Sequence, residues 1–148
     1  MLEKSFNRPS RAERVFNHLF GILIGLGLGL SHNYLLQVRG RKTGRLHSTP
    51  VNVLVYNGKR YLVAGRGLTQ WVRNAHASGE ITLKKGARSR LFRVRALPDS
   101  EKHAVLKAYL DRFRRTVQRY FPVTAGSPLE DFEPYVARYP VFEIVEAD

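Results

Sequence analysis

From Tyr34 to Tyr56 the chain reads YLLQVRGRKTGRLHSTPVNVLVY, two strand-like runs around a basic glycine turn, Gly40-Arg41-Lys42-Thr43-Gly44. The first run, Tyr34 to Arg39, alternates out of a hydrophobic start. The second, His47 to Tyr56, is rich in Val and ends at Asn57-Gly58, a strong two-residue hairpin signal. The turn between them carries two cations, a hydroxyl and flexible backbone N–H groups, a set that suits a phosphate or carboxylate better than a neutral ligand. Taken locally, two readings stand side by side: an anion site, or a solvated hairpin tip that is merely basic.

The rest of the chain continues in short strands. A third strand is expected over Arg60–Ala64, then a loop Gly65–Gly67, then a short helix capped by Thr69 and closed by Gly79. Strands at Glu80–Lys84 and Ser89–Leu97 flank a turn at Gly86. A long amphipathic helix is predicted from Ser100 to about Tyr120, because Leu106, Leu110, Phe113, Val117 and Phe121 recur every three to four residues. Ser127 and Glu130 read as a capping box opening a short helix toward Val136. Val141–Val145 reads as the last strand. About six mostly antiparallel strands with one inserted and one covering helix make an α+β fold, a small curved sheet or barrel.

A chain of 148 residues suffices for one domain, and no repeat or linker argues for a second. Cys is absent, which excludes disulfides, thiolate metal sites and Cys nucleophiles. A formal charge of +13 implies an anionic partner: nucleic acid, acidic lipid or a multiply charged cofactor. Residues 1–33 form an apolar and basic segment, with a helix expected from about Pro9 to Ile24. Its apolar run, Val15 to Leu30, is shorter than the ~20 residues of a membrane span. It also lacks a small-x-small cleavage site after it. Packing on the sheet, closing a pocket, or resting on an anionic membrane through Arg8, Arg11 and Arg14 are all consistent with it. The protein is expected in the cytoplasm, with peripheral contact at the inner face of the cell membrane through residues 1–30.

Catalytic groups of the chain's own are sparse. No two carboxylates are spaced as an acid/base pair, and His18, His32, His47, His76 and His103 are scattered without metal-ligand spacing, so no metal is expected. Gly65-Arg66-Gly67 lacks the third glycine and the strand–turn–helix spacing of a dinucleotide fingerprint. Aromatics fall on the core side of helices and strands rather than beside the basic groups, which argues against nucleic acid. Redox chemistry, if any, comes from a bound cofactor.

Four segments in order resemble the deazaflavin-dependent nitroreductase family, which binds coenzyme F-420: Gly40-Arg41-Lys42-Thr43-Gly44, Pro50, Val63-Ala64-Gly65-Arg66-Gly67 and Trp71-Val72-Arg73-Asn74. The C-terminal Ser127-Pro128-Leu129-Glu130 and Tyr139-Pro140-Val141-Phe142 extend the likeness over most of the chain. The resemblance implies a split β-barrel and an F-420-dependent oxidoreductase, with FMN a poorer fit. By it, Arg41, Lys42, Thr43 and Gly44 hold the phosphate, and Pro50 passes under the deazaflavin ring. Ala64, Gly65 and Arg66 edge that ring, while Trp71 and Asn74 close the other side. Trp71 reads equally as a pin for its helix. Many members carry Arg where this chain has His47, which weakens the charge offered to the coenzyme's tail. Tyr135 and Tyr139 read either as the open side of the ring pocket or as packing. The acceptor would be an apolar unsaturated or nitro-containing small molecule. The alternative is a protein that binds coenzyme F-420, or a lipid or fatty acid, without turnover.

Overall fold

The computed structural model describes residues 32–147. Within them lie β1 (Asn33–Arg39), β2 (Leu46–Asn52), β3 (Leu54–Tyr56), β4 (Lys59–Val63), α1 (Gln70–Ser78), β5 (Glu80–Lys85), β6 (Arg88–Ala96), α2 (His103–Val117) and β7 (Val141–Glu146). The helix expected at Pro9–Ile24 lies outside the described residues. Among those residues no helix is long and apolar enough to cross a membrane.

The strands form one sheet in the order β2-β1-β5-β6-β7-β4-β3, antiparallel throughout. β2 and β3 stand at opposite ends of that order, yet Val53 alone separates them in the chain. One residue spans only about 3.5 Å. The two edges must therefore adjoin, and the sheet curls into a split β-barrel. Seven strands replace the six expected because His47–Tyr56 is not one strand. At Val53 the chain leaves the ladder with β1, its N–H donating to the His32 carbonyl at 2.9 Å, and restarts on β4.

Alternation along the strands divides the apolar residues between two cores. Leu36, Leu62, Ile81, Phe92, Phe142 and Ile144 come from five strands and converge on one cluster, as only the inner face of a curled sheet allows. Their neighbours Tyr61, Val63 and Val141 point the other way, onto Leu106, Leu110 and Phe113 of α2 and onto Phe132. The helix predicted over Ser100–Tyr120 is shorter. It begins after a 3₁₀ turn at Asp99–Glu101, ends in another at Gln118–Tyr120, and is bent at Phe113 (φ −113°, ψ 24°). The Ser127/Glu130 capping box does not form. Pro128 precedes a 3₁₀ run, Leu129–Arg138, and Pro134 inside it has no N–H to donate and would crowd an α-helical carbonyl.

Candidate functional site

The basic turn is tied down by its own backbone. The Gly40 N–H donates to the Arg45 carbonyl at 2.7 Å and the Gly44 N–H to the Gly40 carbonyl at 2.9 Å. Gly44 takes φ +73°, a left-handed conformation that a β-carbon would strain. Arg39 Nη1 reaches the Gly44 carbonyl at 3.0 Å, and the Arg45 N–H donates to Thr43 Oγ1 at 3.3 Å. The ring of His47, on β2, lies against Gly40: a β-carbon there would come within 2.9 Å of Nε2.

Helix α1 holds this turn from the side. Asn74 is buried, and its Oδ1 accepts from the Arg41 N–H at 3.1 Å and from Arg41 Nη1 at 2.8 Å. Gln70, one helical turn earlier, accepts from the same Nη1 at 3.0 Å. Arg41 is thus a clamp between the turn and α1, where the sequence suggested a direct anion ligand. Lys42 remains exposed at the tip. Gln70 is a site residue that sequence reasoning missed; its position four residues before Asn74 on one helix face was the available signal.

The same helix starts from the loop after β4. Ala64 is buried and donates to the Pro140 carbonyl at 2.9 Å, while Gly67, at φ +84°, donates back to the Ala64 carbonyl at 3.0 Å. Thr69 precedes α1, but its side chain does not cap it, contrary to expectation. Its Oγ1 is buried and meets no hydrogen-bond partner among the described residues. Arg66, three residues earlier, is half-buried. Trp71 packs on the inner cluster with its ring 6.0 Å from that of Phe142, so its pinning role is real. Pro50 sits mid-strand on β2, opposite Leu35.

Tyr120 is the second residue that the sequence did not disclose. Its side chain lies over Gly65, 3.6 Å from where a β-carbon would stand. The Arg119 guanidinium covers its ring at 4.8 Å, and Arg119 Nη2 donates to its hydroxyl at 2.6 Å. Tyr139 stands behind it: the buried Tyr139 hydroxyl donates to the Tyr120 carbonyl at 2.6 Å, and its ring stacks on Phe121 at 4.5 Å. Burial pushes the Tyr139 phenol up from its ordinary pKa, as suits a donor kept protonated. Tyr135 is half-buried, with Arg138 over its ring at 5.4 Å.

One helix therefore joins a cationic turn to a glycine loop walled by Tyr120. The model of the F-420H(2)-dependent quinone reductase family matches residues 11–124. The chain belongs to this family. Its members are oxidoreductases, and coenzyme F-420 is the cofactor. No curated protein matches the chain. A solved structure described only as a domain-swapped dimer is 19% identical over 92% of this chain and 100% of its own, with a TM-score of 0.56. An F-420-H2-dependent reductase (FDR-A) is 19% identical over 78% of this chain and 95% of its own, at 0.52. The heme storage protein HutZ of Vibrio cholerae, 9% identical over 79% and 82%, reaches 0.54. At these identities the likeness is one of fold, the split barrel.

The residues present fit an anionic, hydrogen-bonding coenzyme. A buried Thr69 hydroxyl awaits a partner at a helix N-terminus, where the backbone favours negative charge. Lys42 is exposed and Gly44 has open space where a β-carbon would stand, while Gly65 lies under Tyr120.

Proposed function

We propose that the protein transfers a hydride from reduced coenzyme F-420 to an apolar quinone or a related unsaturated or nitro-containing acceptor. The observation that carries this is the Arg41–Asn74–Gln70 clamp, which fixes a cationic turn beside the N-terminus of α1. The coenzyme, when bound, supplies the hydride; the chain binds, orients and shields. Lys42 and the amides of Lys42 and Thr43 hold the phosphate, since the Gly40, Arg41, Gly44 and Arg45 amides are already engaged within the fold. Thr69 Oγ1 takes a polar edge of the ring system, Ala64, Gly65 and Arg66 line its rim, and Trp71 limits it on the α1 side. Tyr120, held by Tyr139, replaces Tyr139 itself as the aromatic wall above Gly65.

Anaerobic mixing with reduced coenzyme F-420 and menadione tests the reading, with a nitroimidazole as a second acceptor. Multiple turnovers with menadione are expected. Tight coenzyme binding with no oxidation by either acceptor would leave a carrier of the coenzyme instead. Lys42→Ala is expected to weaken coenzyme binding by roughly ten- to a hundredfold, the loss of one charge-assisted contact. Folding stability should move by less than about 0.5 kcal/mol, because Lys42 is a surface tip residue. Fluorescence titration and urea unfolding of the same variant measure both. We further propose that residues 1–30, apolar with Arg8, Arg11 and Arg14, give the protein peripheral contact with anionic membrane, from which an apolar acceptor could enter. Sedimentation with anionic and neutral vesicles, comparing the chain with one starting at Ser31, checks it.

A further inference from the structure

Hydride alone does not complete the reduction of a quinone. It brings two electrons and one hydrogen, and one oxygen of the reduced acceptor stays anionic until a proton reaches it. The elements around the basic turn and the glycine loop offer no carboxylic acid, because from Val15 to Gly79 the sequence holds no Asp or Glu. Asp99 and Glu101 before α2 and Asp111 within it pair with Lys102, Arg95 and Lys107. His47 lies against Gly40 in the basic turn, and His76 faces the Phe142 ring at 6.4 Å. The Tyr139 hydroxyl is spent on the Tyr120 carbonyl. Among the described residues near the glycine loop this leaves two hydroxyls, Thr69 Oγ1 and the Tyr120 phenol. A phenol hands over a proton far more readily than an aliphatic alcohol does, and Tyr is an established general acid.

The surroundings of Tyr120 suit that task. It closes the 3₁₀ turn Gln118–Tyr120, and the bond from Tyr139 to its carbonyl fixes the backbone beneath the ring. Its Cβ and Cδ2 stand 3.6 Å from where a β-carbon on Gly65 would be, so the ring covers the loop. Arg119 Nη2 donates to the phenol oxygen at 2.6 Å. A guanidinium has donors and no acceptor, so this bond occupies a lone pair and leaves the phenol hydrogen to be given elsewhere. Among the described residues no group accepts it. Once the proton has left, the same guanidinium faces the charge on the oxygen in a charge-assisted contact. Arg119 is exposed and Tyr120 half-buried, so water reaches the pair.

We propose that Tyr120, backed by Arg119, is the general acid of this site and protonates the oxygen of the reduced acceptor, a role that rests on the proposed hydride transfer. The Tyr120 O–H bond breaks as an O–H bond forms on the acceptor. Both electrons have already arrived with the hydride, and the protein is neither oxidised nor reduced. The phenolate, held by Arg119, then recovers its proton from water.

Tyr120→Phe keeps the ring over Gly65 and removes only the hydroxyl. Anaerobic single turnovers with reduced coenzyme F-420 compare two acceptors: menadione, which needs the proton, and methylene blue, a cation that hydride alone turns into its neutral form. With menadione the variant should be slower by about a hundredfold, and the slowing should exceed that with methylene blue by at least about tenfold. Arg119→Gln should show the same bias, with menadione slowed about tenfold. Equilibrium binding of menadione to protein carrying oxidised coenzyme reads the contact without turnover. There Tyr120→Phe should weaken affinity about three- to tenfold, the net worth of one hydrogen bond. Equal slowing with both acceptors, a menadione rate equal to wild type, or unchanged menadione affinity would overturn the role of Tyr120 and leave hydride transfer standing. If wild type leaves methylene blue untouched, the menadione rate and affinity decide. Wild type that reduces neither acceptor overturns the hydride-transfer reading, and this step with it.

Discussion

Asn74→Ala is expected to weaken coenzyme F-420 binding by roughly ten- to a hundredfold and to lower the unfolding free energy by about 2 kcal/mol. One buried oxygen accepts both the Arg41 N–H and Arg41 Nη1. Removing it leaves a backbone donor without a partner in a place that water reaches poorly, and frees the turn from α1. The two effects have different origins and separate experimentally. Asn74→Asp keeps an acceptor facing Arg41 and should restore most of the stability, with the turn held in place. Urea unfolding and coenzyme titration of wild type, Asn74→Ala and Asn74→Asp make the comparison. If Asn74→Ala binds the coenzyme as tightly as wild type, the clamp has no part in the site.

Phe132→Ala is expected to cost about 3–5 kcal/mol, the range for truncating a buried aromatic ring. Phe132 is 1% exposed and belongs to the cluster that joins α2 to the outer face of β4 and β7. It comes from the 3₁₀ run Leu129–Arg138. The Lys102 ammonium donates to the Val136 carbonyl at 3.1 Å and pairs with Asp99 at 2.8 Å, a second tie on that run. The midpoint of urea unfolding should fall with the slope unchanged. A loss below about 1 kcal/mol would mean that the run repacks around the gap, as sites able to collapse do. Because Tyr139 follows this run and supports Tyr120, reductase turnover should drop together with stability.

Much of the molecule can be read along the chain because the responsible forces act locally. The antiparallel arms around Gly40–Gly44 follow from strand period and turn chemistry, and the Asn57-Gly58 hairpin from the left-handed φ of both residues, +49° and +73°. The face of α2 carrying Leu106, Leu110 and Phe113 follows from helical spacing, and all three are buried. The basic turn, the glycine loop and the tryptophan helix were legible as a set because together they carry the resemblance to the family, which the match over residues 11–124 bears out. The errors share one cause. Val53 does not look like a break, Thr69 looks like a cap and Ser127 looks like one too. Each depends on which distant group competes for the same backbone or hydroxyl.

What the sequence determined by itself was therefore the inventory and its order: strands, turns, charge, and the residues that mark the family. Which of these meet was decided by closure of the sheet. Curling brought β2 and β3 edge to edge, set Asn74 against Arg41 across thirty-three residues, and laid Tyr120 over Gly65 across fifty-five. It also gathered Arg60, Lys85, Arg88 and Arg90 from three strands into one basin. Local propensity acts over a few residues, whereas these pairings follow from burying one continuous apolar face, and only the whole barrel does that.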